Sequence, residues 1–160
     1  MLTLERAIEI NGTMVTEEPQ PVATAKKRGF YGSEAVSDDV IKLYDDLKAS
    51  WCIETCSPGL RAEWSPENPS RGQCTITAFI AQDIYGGEVY GIPQPGGGFH
   101  CYNCVNGQVF DLASEQFGDA VLCYEGNPLQ SREEHFADRG KYERYLLLKK
   151  KLEERRNDSV

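Results

Sequence analysis

The stretch that decides the fold is residues 72–87, with the sequence GQCTITAFIAQDIYGG. Apolar residues occupy nearly every face at helical spacing, which predicts a buried, central helix from about Cys74 to Tyr85. Gly86 and Gly87 come directly after this helix, and glycine readily adopts the left-handed backbone conformation that ends a helix. Cys74 therefore lies in the first turn, where the helix dipole and free N–H groups favour a thiolate.

Three strands are predicted directly after this helix, and the turn between the last two fixes how they pair. They cover residues 88–92, 99–105 and 108–112, with a glycine-rich loop at residues 93–98. Asn106-Gly107 is a strong signal for a two-residue hairpin turn.

That turn determines which strand side chains share a face. A two-residue turn pairs Val105 with Gln108, and the alternation of side chains then places His100 and Asp111 on one face as diagonal neighbours. We therefore expect the imidazole and the carboxyl group to lie within hydrogen-bonding reach of each other.

Helices are predicted on both sides of this central unit. One begins after Ser37, because apolar residues recur at helical spacing over residues 40–51. Ser131 and Glu134 have the spacing of a capping box at the start of a short helix, and the last helix covers about residues 141–155. Helices followed by antiparallel strands and a further helix indicate the α+β class, with a small antiparallel sheet packed on the central helix that carries Cys74.

The chain is predicted to form one domain with short extensions. Residues 1–36 are interpreted as an N-terminal arm or linker, in which Asn11-Gly12 marks a candidate hairpin. Residues 37–156 are predicted to form the domain and residues 157–160 a tail. A chain of 160 residues has the length of one domain with one core.

Composition limits the function classes. The chain carries 17 basic and 25 acidic residues, a net charge of −8, which argues against nucleic acid or an anionic membrane as partner. No apolar run approaches the ~20 residues that span a bilayer, and the first residues lack a signal-peptide profile. We therefore expect a cytoplasmic protein whose six cysteines are reduced, so that these cysteines serve catalysis, metal binding or packing.

Cys74, His100 and Asp111 have the residue types of a nucleophile, a base and an orienting acid. The helix would bring the Cys74 sulfur to the imidazole, and Asp111 would hold the required tautomer of His100. The side chain of Gln73 and the backbone N–H of Cys74 are candidate oxyanion donors. This set predicts a thiol-dependent acyl-transfer enzyme that acts on a peptide, amide or small molecule and needs no cofactor, with Tyr102 and Trp64 as candidate substrate-binding aromatics.

Two other interpretations stay open. One is a non-catalytic module that binds a small ligand or a protein in the same pocket, beside the loop at residues 93–98. The other is a structural zinc protein, since Cys52 with Cys56 and Cys101 with Cys104 resemble two halves of a zinc site. Strand alternation weakens the zinc interpretation, because it sends Cys101 and Cys104 to opposite faces.

Several of these residues also carry a family resemblance. The segments at residues 64–69, 72–78, 82–83 and 86–87 resemble the YunG-like family of uncharacterised bacterial proteins, as do His100, Asn103, Asp111 and residues 116–117. The resemblance covers about residues 40–152. Its Cys-His-Asp pattern is similar to the compact papain-like and transglutaminase-like core, which implies a papain-like architecture and catalytic roles for Cys74, His100 and Asp111. Cys101, which follows the histidine, departs from the expected aromatic residue.

Overall fold

The computed structural model describes residues 25–27, 29–33 and 36–158. The four helices are α1 (Asp38–Lys48), α2 (Cys74–Tyr85), α3 (Arg132–Phe136) and α4 (Arg139–Asp158). The five strands are β1 (Ala25–Lys27), β2 (Phe30–Gly32), β3 (Glu88–Pro93), β4 (Phe99–Val105) and β5 (Gln108–Asp111). Two 3₁₀ helices, Pro58–Glu63 and Ser114–Phe117, lie in the connections. The α+β class is confirmed.

The strands form one antiparallel sheet in the order β1-β2-β5-β4-β3. Asn106 and Gly107 have φ values of 53° and 80°, and positive φ at both central residues is the backbone of a type I′ turn. Val105 pairs with Gln108 and Asn103 with Phe110, which is the predicted register. The hairpin turn therefore sets the positions of all side chains on β4 and β5.

Helix α2 packs against β4, and α4 packs against α2, so α2 is the central element of the main core. Asn103 lies on the β4 face opposite His100, and its Nδ2 donates to the Ala78 carbonyl at 2.8 Å, which ties β4 to α2. Trp51, just beyond α1, is buried and donates from Nε1 to Thr77 Oγ1 at 2.9 Å. These contacts fix the N-terminal end of α2 over the sheet.

The structure differs from the prediction in the segment interpreted as an arm. Residues 25–27 and 30–32 form strands, and β2 pairs with β5 through Tyr31 and Asp111. Phe30 is fully buried in the main core. The candidate hairpin at Asn11-Gly12 lies outside the described residues.

The C-terminal elements extend slightly beyond their predicted bounds. The capping interaction of α3 is present, since Ser131 Oγ accepts from the Glu134 N–H at 3.2 Å. Helix α4 continues to Asp158, so the first two residues of the predicted tail are helical. Within the described part of the chain, none of the helices combines the length and apolar composition that crossing a bilayer requires.

Candidate active site

A cavity of about 580 Å³ opens at the N-terminal end of α2. The loop at residues 94–98 covers one side of it, and residues of the two 3₁₀ helices and α4 form other walls. The lining side chains include Cys74, His100, Phe117, His135, Lys141 and Arg144. Two members of the predicted triad, Cys74 and His100, therefore face a common space.

His100 and Asp111 form a buried pair on the sheet. The Nε2 atom of His100 lies 2.7 Å from Asp111 Oδ2, and the two side chains are 2% and 0% exposed. This is the contact that the predicted hairpin register requires. The Phe117 ring packs edge-on against the imidazole, with the ring centroids 4.7 Å apart, and so covers it within the cavity wall.

Tyr124 completes the surroundings of Asp111. Its hydroxyl donates to the same carboxylate oxygen at 2.6 Å. Burial raises the pKa of Tyr124, and the charge of Asp111 and this hydrogen bond raise it further, so the phenol stays a donor. Tyr124 lies in an irregular stretch with no periodic pattern, so no sequence signal identified it as a partner of Asp111.

Cys74 is half-buried, with its sulfur 3.7 Å from the Phe99 carbonyl oxygen. The neighbouring Cys101 thiol holds the pKa of Cys74 well below its ordinary value. Burial opposes this effect, whereas the nearby, positively charged His100 adds to the lowering. The arrangement therefore favours a thiolate at Cys74.

The pKa of His100 is raised, although burial alone would lower it. The charge of Asp111 and its hydrogen bond, followed by the interactions with Cys74, raise the pKa of His100 to about 10. Nε2 is engaged by Asp111, and Nδ1 is buried without a hydrogen-bond partner among the described residues. Nδ1 is thus the nitrogen left for Cys74, and the opposite pKa shifts favour a thiolate–imidazolium pair.

Gln73 lies outside the cavity lining. Its side chain is fully buried, and Nε2 donates to the Cys52 carbonyl at 3.0 Å. The structure therefore directs this amide to Cys52 and not into the cavity beside the Cys74 sulfur. The backbone N–H of Cys74, one of the free amides at the start of α2, remains as a candidate oxyanion donor.

Tyr102 and Trp64 are also absent from the cavity lining. Tyr102 is buried in a second apolar cluster with Val109 and Tyr124, and its hydroxyl accepts from Asn127 Nδ2 at 2.9 Å. Trp64 donates from Nε1 to the Pro69 carbonyl at 2.9 Å, which stabilises the loop that contains both residues. Tyr102 thus packs within an apolar cluster, and the hydrogen bond of Trp64 stays within its own loop.

The cysteines are distributed over separate surroundings. Cys101 lies in the main core, whereas Cys104 packs against the second apolar cluster, as strand alternation predicts. Cys56 is buried, which raises the pKa of its thiol, and Cys123 is exposed. In residues 25–27, 29–33 and 36–158, no three His, Cys, Asp or Glu side chains are grouped so that they could hold a metal ion.

Comparison with known proteins gives a family. The model of the family described as YunG protein matches residues 39–157. The chain is 41% identical over 92 residues to the protein of Bacillus subtilis (strain 168) named "Uncharacterized protein YunG", which covers 58% of this chain and 73% of that protein. No solved structure matches the chain. The matched region spans α2 and the whole hairpin that carries His100 and Asp111, and the chain belongs to the YunG protein family.

Proposed function

We propose that the protein is a thiol-dependent acyl-transfer enzyme with Cys74 as nucleophile, His100 as acid and base, and Asp111 as orienting group. The observation that carries this proposal is the convergence at one cavity. The half-buried thiol of Cys74, whose pKa is lowered, faces the same cavity as the imidazole of His100. The Nε2 atom of that imidazole lies 2.7 Å from the buried carboxylate of Asp111. A structural role would require neither the lowered pKa nor access to solvent.

The first step is attack of the Cys74 thiolate on the carbonyl carbon of an amide or ester. A carbon–sulfur bond forms, and the carbonyl electron pair moves to oxygen. The backbone N–H of Cys74 donates to this oxyanion. The oxyanion then collapses, the bond to the leaving group breaks, and the His100 imidazolium gives its Nδ1 proton to the departing nitrogen or oxygen. A thioester on Cys74 is left.

The second step releases the acyl group. Neutral His100 accepts a proton at Nδ1 from water or from an acceptor amine as that nucleophile attacks the thioester carbonyl. The carbon–sulfur bond breaks, and the thiolate and the imidazolium are regenerated as a pair. Asp111 stays ionised and holds Nε2–H, which presents Nδ1 to the reacting atoms in both steps. The residues present account for this chemistry without a cofactor.

The architecture supports the same proposal. Helix α2 carries the nucleophile at its first residue, and β4 and β5 carry the base and the acid. We propose on this basis that the protein has the architecture of a compact papain-like domain. The strands also keep His100 and Asp111 fixed while α2 presents the sulfur, so the reacting groups need little reorganisation.

The test is the pH dependence of alkylation at Cys74. Because the pKa of Cys74 is lowered, the rate at which iodoacetamide modifies it should rise with pH and reach its plateau at a lower pH than for an ordinary thiol, whose pKa is ~8.5. His100→Ala removes the nearby positive charge, so the midpoint should move up towards the ordinary value. Peptide mass spectrometry measures each cysteine separately.

Exposed Cys123 is the internal control, since its reactivity should not change with His100→Ala. Cys74→Ser should also abolish the stoichiometric acyl-enzyme that p-nitrophenyl acetate forms with a nucleophilic thiol. A Cys74 that reacts only in the pH range of an ordinary thiol would contradict the proposal. The cavity would then be a ligand-binding pocket without chemistry.

A further inference from the structure

The cavity beside Cys74 has a charge opposite to that of the whole chain. The protein has a net charge of −8, yet no Asp or Glu from the described ranges lines the cavity. Three cationic residues do line it, namely Arg71, Lys141 and Arg144. In a chain where acidic residues outnumber basic ones 25 to 17, this local reversal points to the charge of a ligand.

The three cations differ in how far their charge is neutralised. Arg71 donates from Nε to Glu63 Oε1 at 3.0 Å, so a carboxylate already offsets it. Lys141 lies with Nζ 2.9 Å from His135 Nδ1, and His135 Nε2 lies 2.7 Å from Gln130 Oε1. Nε2 therefore donates to the amide oxygen and Nδ1 accepts from the ammonium, which makes His135 the neutral tautomer.

The surroundings of His135 agree with a neutral ring. Burial lowers the pKa of His135, and the charge of Lys141 lowers it further. A neutral imidazole cannot cancel the charge of the ammonium group that contacts it. Lys141 is thus a cationic residue of the cavity wall that forms no direct ion pair with a carboxylate of the described residues.

Arg144 is the second cation without a direct ion pair, although the charge of Asp138, which lies outside the cavity lining, acts on it. It forms no ion pair with a carboxylate of the described residues, and its Nη1 donates only to the Thr55 carbonyl at 3.4 Å. Its Nε is buried and has no partner in that part of the chain. Burial lowers the pKa of Arg144, which measures the cost of holding this charge away from water. A bound carboxylate would offset that cost and would accept from the guanidinium with two oxygens.

We infer that the site takes an acyl substrate that carries a carboxylate close to the carbonyl attacked by Cys74, with Lys141 and Arg144 binding that carboxylate. This inference rests on the proposed function and names its substrate class. The class includes acidic peptides and amides of dicarboxylic acids. The cavity of about 580 Å³ has room for such a molecule beside the thiol.

The test compares two alkylating reagents that differ in charge. Iodoacetate and iodoacetamide attack the same thiolate, so the ratio of their rates at Cys74 cancels its nucleophilicity and reports only the preference for an anion. We expect this ratio to exceed that of the uncharged thiol N-acetylcysteine amide about tenfold and to fall as ionic strength rises. Lys141→Gln and Arg144→Gln should each lower it about three- to tenfold.

Lys150→Gln is the matched control, because it removes the same charge from an exposed position on α4 and should leave the ratio unchanged. Arg144→Gln loses the contact with Thr55, so its iodoacetamide rate checks that the site is still assembled. Lys141→Gln, which removes no backbone contact, keeps the test decisive if Arg144→Gln fails to fold.

A second measurement asks whether a bound dicarboxylate protects Cys74 from alkylation by an uncharged reagent. Succinate should slow the alkylation of Cys74 by iodoacetamide, whereas the uncharged succinamide should not, and Lys141→Gln should weaken the protection. A rate ratio equal to that of N-acetylcysteine amide, together with no protection by succinate, overturns the inference. The proposed function still stands in that case if Cys74 is alkylated below the pH range of an ordinary thiol. A Cys74 with ordinary reactivity towards both reagents overturns the proposed function itself.

Discussion

In His100, one ring nitrogen has a hydrogen-bond partner among the described residues and the other has none. Nε2 contacts the Asp111 carboxylate, and Nδ1 is the atom left for the sulfur of Cys74. A serine–histidine–aspartate triad uses the same three roles with the opposite assignment, in which Nε2 faces the nucleophile. The role of the imidazole therefore depends on which nitrogen the acid occupies, and here the position of Asp111 on β5 decides it.

Cys101 directly follows His100, at the position where the family resemblance predicts an aromatic residue. Its thiol, which can donate to a Cys74 thiolate, is the largest single cause of the lowered pKa of Cys74, and its sulfur lies 3.4 Å from Thr75 Oγ1. Cys74 in turn raises the pKa of Cys101 well above its ordinary value, because the neighbouring thiolate disfavours a second negative charge. Cys101 thus stays protonated as a donor while Cys74 ionises.

We predict that Cys101→Ala raises the midpoint of Cys74 alkylation by about 1–2 pH units, the equivalent of a hydrogen bond to a charged group. Cys101→Ser keeps a donor and should shift the midpoint less. Cys104→Ala is the control, since it removes a thiol from the other face of β4 and should have no effect. If Cys101→Ala leaves the midpoint in place while His100→Ala moves it, Cys101 only packs in the core.

At the scale of elements, the turn that precedes α2 positions Cys74. Gly72 has φ +74°, and a Cβ atom built there would lie 2.5 Å from Cys56 Sγ and 3.1 Å from the Ser57 backbone nitrogen. Its carbonyl accepts from the Ser57 N–H at 2.9 Å, so the turn is joined to the 3₁₀ helix at Pro58–Glu63. Only glycine combines this backbone conformation with such close packing.

We predict that Gly72→Ala lowers the free energy of unfolding by at least about 2 kcal/mol, since the positive φ alone costs about 1–2 kcal/mol and the contact with Cys56 adds to it. Gly59→Ala is the matched control, because its φ is not positive and a Cβ there meets open space. Urea denaturation of both variants measures the difference. Equal stabilities would mean that the turn can rearrange, and Cys74 alkylation would then show whether α2 still presents the sulfur.

At the scale of the whole molecule, the sequence predicted the parts whose signals are local. Helix α2 has its exact predicted bounds, because its apolar residues and Gly86 act within one stretch of chain. The contact of His100 with Asp111 followed from the Asn106-Gly107 turn, since a hairpin register needs only the turn type and strand alternation.

The parts that the sequence did not predict depend on distant segments. Tyr124 reaches Asp111 from an irregular stretch, and Lys141 and Arg144 reach the cavity from the far end of the chain. Gln73 was predicted as an oxyanion donor, but its buried amide donates to the carbonyl of Cys52. Such contacts arise when elements pack, and no local pattern encodes them.

The last of these long-range features is the N-terminal segment, whose polar composition predicted an arm. Phe30 in β2 is 0% exposed, and its ring packs on Tyr44 of α1 with the centroids 5.1 Å apart. We predict that Phe30→Ala lowers the free energy of unfolding by about 3–5 kcal/mol, the cost of emptying a core position of this size. Val121→Ala, at a position 82% exposed, should change it by less than about 0.5 kcal/mol. The midpoint of urea unfolding measures both. A loss below about 1 kcal/mol in Phe30→Ala would separate β2 from the cooperative domain, and Asp111 would then keep its place through β4 alone.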